Sequence, residues 1–149
     1  MPFGWLGNMS PHPVVINKTR YPTAEHAFQA MRFPSGHRLR ENLVRVKSPM
    51  DAKLIARRLI DEAVIFPHSD QDIELMREVT WEKLIQHGLT PELLATESEL
   101  IVEDVTKRQS KSGSFWGAAK IDGEWVGQNE LGKIWMEHRE RSFLNMIWG

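Results

Sequence analysis

The spacing of apolar and polar positions along the chain predicts a mostly helical protein. The clearest case runs from Thr23 to Phe33. Ala24, Ala27, Phe28 and Met31 recur at i, i+3, i+4 and i+7, one apolar face meant for a core. Thr23 is the predicted N-cap, and Pro22 before it disfavours helix upstream. Glu25, Gln29 and Arg32 fall on a separate polar flank, with the acid in the first turn, where the helix dipole stabilises negative charge. The plain reading of this flank is a capping glutamate beside a solvated surface. The sharper one is a carboxylate, an amide and a guanidinium presented to a ligand by a helix anchored on its other side.

Around this helix the pattern is read in chain order. Gly4, Gly7, Asn8, Pro11 and Pro13 mark a loop leading to a short strand at Val14-Val15-Ile16, and Asn17-Lys18 signals a turn. Pro34-Ser35-Gly36 ends the first helix, and a short one follows over 37–46. Ser48-Pro49 predicts a cap followed by a proline at the first helical position, with Ala52, Ile55, Ala56 and Leu59 as the core stripe. A longer helix is expected over Ser69–Gln86. It has Ile73, Met76, Thr80 and Leu84 on one face and Leu75 and Val79 nearly opposite, so it is expected to be sandwiched. Gly88 stops it, and Thr90-Pro91-Glu92 opens another short helix. Leu100-Ile101-Val102 is a strand candidate, and Lys107–Ser114 reads as polar and flexible. A hairpin is expected around Asp122-Gly123. Asn129 is the predicted cap of a last helix with a Leu131, Ile134, Trp135, His138 stripe. The sum is α+β, a mainly helical single domain over 1–149 with a small antiparallel sheet, without repeats or linkers.

Composition narrows the function classes. At 149 residues the chain suffices for one domain with one substantial core. A net charge of -1 supplies no global attraction for nucleic acid or membrane, so a charged ligand needs a local patch. With no cysteine, disulfides, thiolate nucleophiles and cysteine-ligated metals are excluded. The opening residues do not read as a secretory signal, and no apolar run approaches the roughly 20 residues of a membrane span. A cytoplasmic location is the default expectation. Six tryptophans serve a core or ring-stacking pockets equally well.

Several chemistries find no motif. There is no dinucleotide fingerprint, phosphate loop, His-Glu-x-x-His pair or nucleophile elbow. His12, His26, His37, His68, His87 and His138 are scattered, so neither a metal nor a redox cofactor is expected. What remains is spread over three segments: Asn8 in a glycine-bounded loop, Glu25 on its helix flank, and Trp116-Gly117 with Gly127-Gln128-Asn129. Glycines beside an aromatic permit close backbone approach to a flat ligand, and a helix opened by Asn129 offers free N–H groups to an anion. The plainer readings are a core tryptophan and an ordinary N-cap. Together the residues are compatible with a pocket for a base attached to a sugar phosphate.

At this point a family resemblance becomes specific. Tyr21-Pro22-Thr23-Ala24-Glu25-His26-Ala27-Phe28-Gln29-Ala30 resembles the signature of the NADAR family, named for association with NAD and ADP-ribose. Three more blocks agree in order: Val46–Lys53; Leu94-Ala95-Thr96 through Leu100–Glu103; and Trp116-Gly117 followed by Gly127–Gly132 and Met136–Arg139. The resemblance spans nearly the whole chain. It implies an N-glycosidase and a mainly helical α+β fold. The implied substrate is nucleotide-like: a ribosylamino-pyrimidine phosphate of riboflavin synthesis, or ADP-ribose attached to guanine in nucleic acid. On this resemblance Glu25 is expected to stabilise a sugar cation and to orient or deprotonate water. Trp116 and the adjoining Gly117 would wall the base or sugar, and Asn8 and Asn129 would bind ribose or phosphate. Arg32 would bind substrate. Lys83 would hold phosphate or assist the leaving group, unless it is a solvated helix lysine.

The chain also departs from the family pattern. Gly113 stands where relatives carry an aspartate, within a polar stretch, Lys107–Ser112, that is longer than usual. Leu6-Gly7-Asn8-Met9 and Phe66-Pro67-His68 are altered as well. Glu103, Asp104 or Asp122 are the acids able to compensate, and the basic insertion could contact phosphates of a larger ligand. The departure at Gly113 leaves open a module that binds ADP-ribose without turning it over. A helical interaction protein that uses its tryptophans only for packing is a third reading.

Overall fold

The structure is a computed structural model describing residues 3–108 and 110–149. Expectations touching Met1, Pro2 and Gln109 lie outside the described residues. The chain divides into two compact units, Met1–His87 and Gly88–Gly149, each taken in turn.

In the first unit, β1 (Val14–Ile16) pairs antiparallel with β2 (Thr19–Tyr21), Val14 opposite Tyr21. Asn17 and Lys18 both take positive φ, 51° and 67°, the conformation that joins two strands through two residues. The turn was legible, but the second strand was not expected. It is only three residues long and runs straight into the helix signal. Four helices follow: α1 (Ala24–Met31), α2 (Arg38–Arg45), α3 (Pro49–Arg58) and α4 (Asp70–Gln86). The predicted caps of α1 and α3 are in place, and α4, expected to begin near Ser69, is capped by that residue. The side chains of Thr23, Ser48 and Ser69 accept from the backbone N–H of His26, Asp51 and Asp72.

Helix α1 is the hub, packing on both strands and on α2, α3 and α4. Its Ala24, Ala27 and Ala30, like Ala52 and Ala56 of α3, are fully buried, and such small residues let helix axes approach closely. α4 buries Met76, Thr80 and Leu84 and also Leu75 and Val79, so both of its apolar sides are covered. At its end the Gln86 side chain acts as a strand neighbour: it accepts from Val15 N and donates to Val15 O, each at 2.8 Å.

His26 ties α1 to the α2–α3 link. Its Nε2 donates to Val46 O at 2.7 Å, and its Nδ1 accepts from the Thr23 hydroxyl at 2.8 Å, a pairing that suits one neutral tautomer. Burial lowers its pKa from 6.5, outweighing the raising pull of the Val46 carbonyl and of Glu25. The unfolded chain therefore takes up a proton that the folded one refuses. Stability is full above about pH 6.5 and falls on acidification, by up to about 1.4 kcal/mol per pH unit from this residue. Urea denaturation at about pH 7.5 and 5.5 should show that loss, and His26→Gln should shrink it without abolishing it, because His12 and His68 are lowered too.

The second unit holds α5 (Thr90–Leu94), α6 (Lys111–Trp116), the β3–β4 hairpin (Ala119–Ile121, Glu124–Val126) and α7 (Glu130–Trp148), which packs on α5 and α6. The hairpin turns at Asp122 and Gly123, both at positive φ, as expected. Two expectations are corrected. Leu100-Ile101-Val102 forms no strand, because its backbone is served by a side chain: Asn129 Nδ2 donates to Ile101 O at 2.8 Å and Asn129 Oδ1 accepts from Glu103 N at 2.9 Å. Lys107–Ser114 is not uniformly irregular, since the Ser110 hydroxyl accepts from Gly113 N and opens α6. Asn129 does precede α7, but at φ 52° and with no side-chain cap bond, its amide being spent on the 101–103 segment.

The glycines of this unit let the chain approach itself. A Cβ on Gly117 would lie 2.2 Å from Glu103 O, and one on Gly132 would lie 2.3 Å from both Ile101 O and Asn129 Nδ2. Gly132→Ala should therefore break the Asn129 clamp and destabilise the protein by about 1–3 kcal/mol, measured by thermal unfolding. Among the described residues the fold is mainly helical α+β, with two two-stranded antiparallel sheets in place of the single small sheet expected.

Candidate active site

The polar flank of α1 is not solvated. Glu25, Gln29 and Arg32 are each more than nine-tenths buried and form one chain of bonds. Gln29 Nε2 donates to Glu25 Oε1 at 2.8 Å, and Arg32 NH1 donates to Gln29 Oε1 at 3.3 Å. Arg32 then grips Asp72 through Nε and NH2 at 2.8 and 2.6 Å, the bidentate geometry that suits guanidinium and carboxylate. The guanidinium also lies over the Phe28 ring, 4.4 Å from its centroid. Asp72 is fully buried in the first turn of α4, where it accepts from His68 N as well. Arg32, expected to bind substrate, thus has its fork committed to Asp72. Asp72 is the residue that sequence reasoning left out, while Gln29 was read on the polar flank without being given a role of its own.

The early loop meets this flank through the backbone, where Glu25 N donates to Asn8 O at 3.0 Å. The loop is held by Lys83, which is fully buried and not a solvated helix lysine. Its ammonium donates to Gly7 O at 2.9 Å, to the Ser10 hydroxyl at 2.7 Å, and to Trp5 O. Burial, with the nearby charges of Lys83 and His87, lowers the pKa of His12, which bonds Ser10 on the same loop. Asn8 donates to the Met76 sulfur at 3.0 Å, while its amide oxygen is buried without a hydrogen-bond partner. The structure so brings Asn8, Glu25, Arg32 and Lys83 into one connected region of the first unit. Glu25 has one oxygen fixed by Gln29 and a second that receives no hydrogen bond from the described residues. A held carboxylate of this kind can stabilise developing positive charge or orient water.

Trp116, Gly117 and Asn129 belong to the second unit. Trp116 is buried on α6 with its ring 4.8 Å from that of Phe115. Asn129 N donates to Gly117 O at 3.0 Å. Gly113 carries no carboxylate. Of the acids suggested as substitutes, Asp104 is exposed and takes the Thr106 hydroxyl and N–H, which lower its pKa. Among the described residues no three of His, Asp and Glu gather as a metal-ligand group, and no helix is long and apolar enough to cross a membrane.

The sequence matches the NADAR domain over residues 1–142, and the chain belongs to the NADAR family. It is 31% identical to N-glycosidase YbiA of Escherichia coli over 142 residues, covering 93% of this chain and 81% of that protein. N-glycosidase Npun_R5314 of Nostoc punctiforme is also 31% identical, with coverage of 93% and 85%. The riboflavin biosynthesis protein VVA0006 of Vibrio vulnificus is 33% identical over 92% of this chain, which spans only 35% of that longer protein. The NMR structure of E. coli YbiA superimposes with a TM-score of 0.73 at 29% identity, covering 97% of this chain and 81% of that one.

Proposed function

We propose that the protein hydrolyses the N-glycosidic bond of a ribosyl-phosphate compound, with Glu25 as the group beside the reacting sugar carbon. The observation that carries this is the braced carboxylate, buried, with one oxygen bonded to Gln29 and the other without a hydrogen bond from the described residues. In the reaction the carbon–nitrogen bond breaks and its electron pair leaves with the base. The sugar carbon becomes cationic, and Glu25 stabilises that charge at short range. A water oxygen then bonds to the carbon, and its proton passes by way of Glu25 to the departing nitrogen. Gln29, Arg32 and Asp72 act as positioning residues that hold the carboxylate in one orientation. Lys83 acts through the loop it anchors, and Asn8 is assigned to bond a ribose hydroxyl through its amide.

Two substrate classes follow from the family resemblance: a ribosylamino-pyrimidine phosphate of riboflavin synthesis, and ADP-ribose attached to guanine in nucleic acid. The name of the Vibrio relative supports the first. Incubation with each, followed by chromatography, should show free base from at least one. A protein that binds ADP-ribose yet frees base from neither would be a binding module, the reading that Gly113 favours, since no acid stands at that position.

A further inference from the structure

We infer that the first unit also carries an oxyanion pocket formed by Tyr21 and Arg40, suited to a small molecule bearing a carboxylate or phosphate ester on an apolar body. A depression of about 410 Å³ is lined by both residues together with Ile16, Met31, Ser35 and Val44. That volume lies in the range of small-molecule sites, roughly 300–1,000 Å³. Asn8, Glu25 and Lys83 take no part in its lining, so the pocket does not depend on the glycosidase reading.

Tyr21 is 2% exposed, lines this depression, and its hydroxyl bonds to none of the described residues. A buried phenol ordinarily finds a partner, and one left open toward a cavity is a donor awaiting an acceptor. Burial raises the pKa of Tyr21 against the opposing pull of Arg40, so the phenol keeps its proton. Arg40 supplies the charge. Its Nε and NH2 both donate to Phe33 O, at 3.1 and 2.6 Å, which locks the guanidinium plane and leaves NH1 without a hydrogen bond or ion pair among the described residues. A guanidinium held in plane and a phenol lining the same depression together suit an oxyanion. Ile16, Met31 and Val44 offer the apolar wall for the rest of the molecule. Exposed Glu41 on the rim works against a second negative charge, and so favours a carboxylate or the singly ionised form of a phosphate ester.

Tyr21 is the chain's single tyrosine, so protein made with 3-fluorotyrosine reports this pocket by one fluorine resonance. Titration with benzoate or with phenyl phosphate should move that resonance saturably, while neutral benzamide should not. A response to benzoate alone assigns a carboxylate, and a response to phenyl phosphate alone assigns a phosphate ester. Arg40→Gln should weaken the response at least about tenfold. Ser35→Glu, an exposed rim change that leaves the Arg40–Phe33 link untouched, should do the same and decides the matter if Arg40→Gln does not fold. No saturable shift with either anion, an equal shift with benzamide, or titrations unchanged by the substitutions would overturn the assignment.

Discussion

Glu25→Gln is expected to cut base release by about 10²–10⁴-fold while the protein stays folded and still binds nucleotide. The substitution is nearly isosteric. Its amide oxygen can still accept from Gln29 Nε2, so the bracing through Arg32 to Asp72 persists. What disappears is the negative charge beside the sugar carbon, together with the capacity to take a proton from water. Chromatographic assay of freed base, run beside a thermal melt, measures both consequences. A folded variant that keeps more than about a tenth of wild-type turnover would remove Glu25 from the chemistry.

Asp72→Ala should be the most damaging single change to stability, lowering it by about 3–5 kcal/mol in urea denaturation. Asp72 is fully buried and is the bidentate partner of Arg32, which is itself 7% exposed, so its removal strands a guanidinium away from water. His68 N loses its acceptor at the same time. The cost comes mainly from the stranded charge and less from the pair's own attraction. Arg32→Leu combined with Asp72→Ala should therefore recover much of the loss. A loss below about 1 kcal/mol for the single variant would mean that water reaches Arg32 and that the pair is not sealed.

The fold was readable wherever local chemistry decides it. Ser48-Pro49 and Ser69 set helix starts by their hydroxyls, and Asp122-Gly123 sets a hairpin by its φ angles, all within a few residues of sequence. It was unreadable where a distant group decides. The 100–102 segment has strand-like composition, yet Asn129, some 28 residues away, takes Ile101 O. Helix α6 hides in Lys-Ser-Gly-Ser, where Ser and Gly are weak helix formers and the start depends on the Ser110 cap. The site divides along the same line. The spacing of Glu25, Gln29 and Arg32 was plain. Their burial was not, because the acid that neutralises Arg32 lies 40 residues on. Lys83 was legible only as a cation, since Trp5 and Gly7 meet it with backbone oxygens and any residue type supplies those.

That ammonium also works as a fastener closed during folding, joining stretches 73 to 78 residues apart in the chain. A reagent that acetylates amines should spare it in the native protein and capture it in the denatured one. Molecules labelled before refolding would then return with the opening loop adrift, although those labelled afterwards would keep it in place. The history of one lysine would thus be written into whether Asn8 ever reaches the backbone of Glu25.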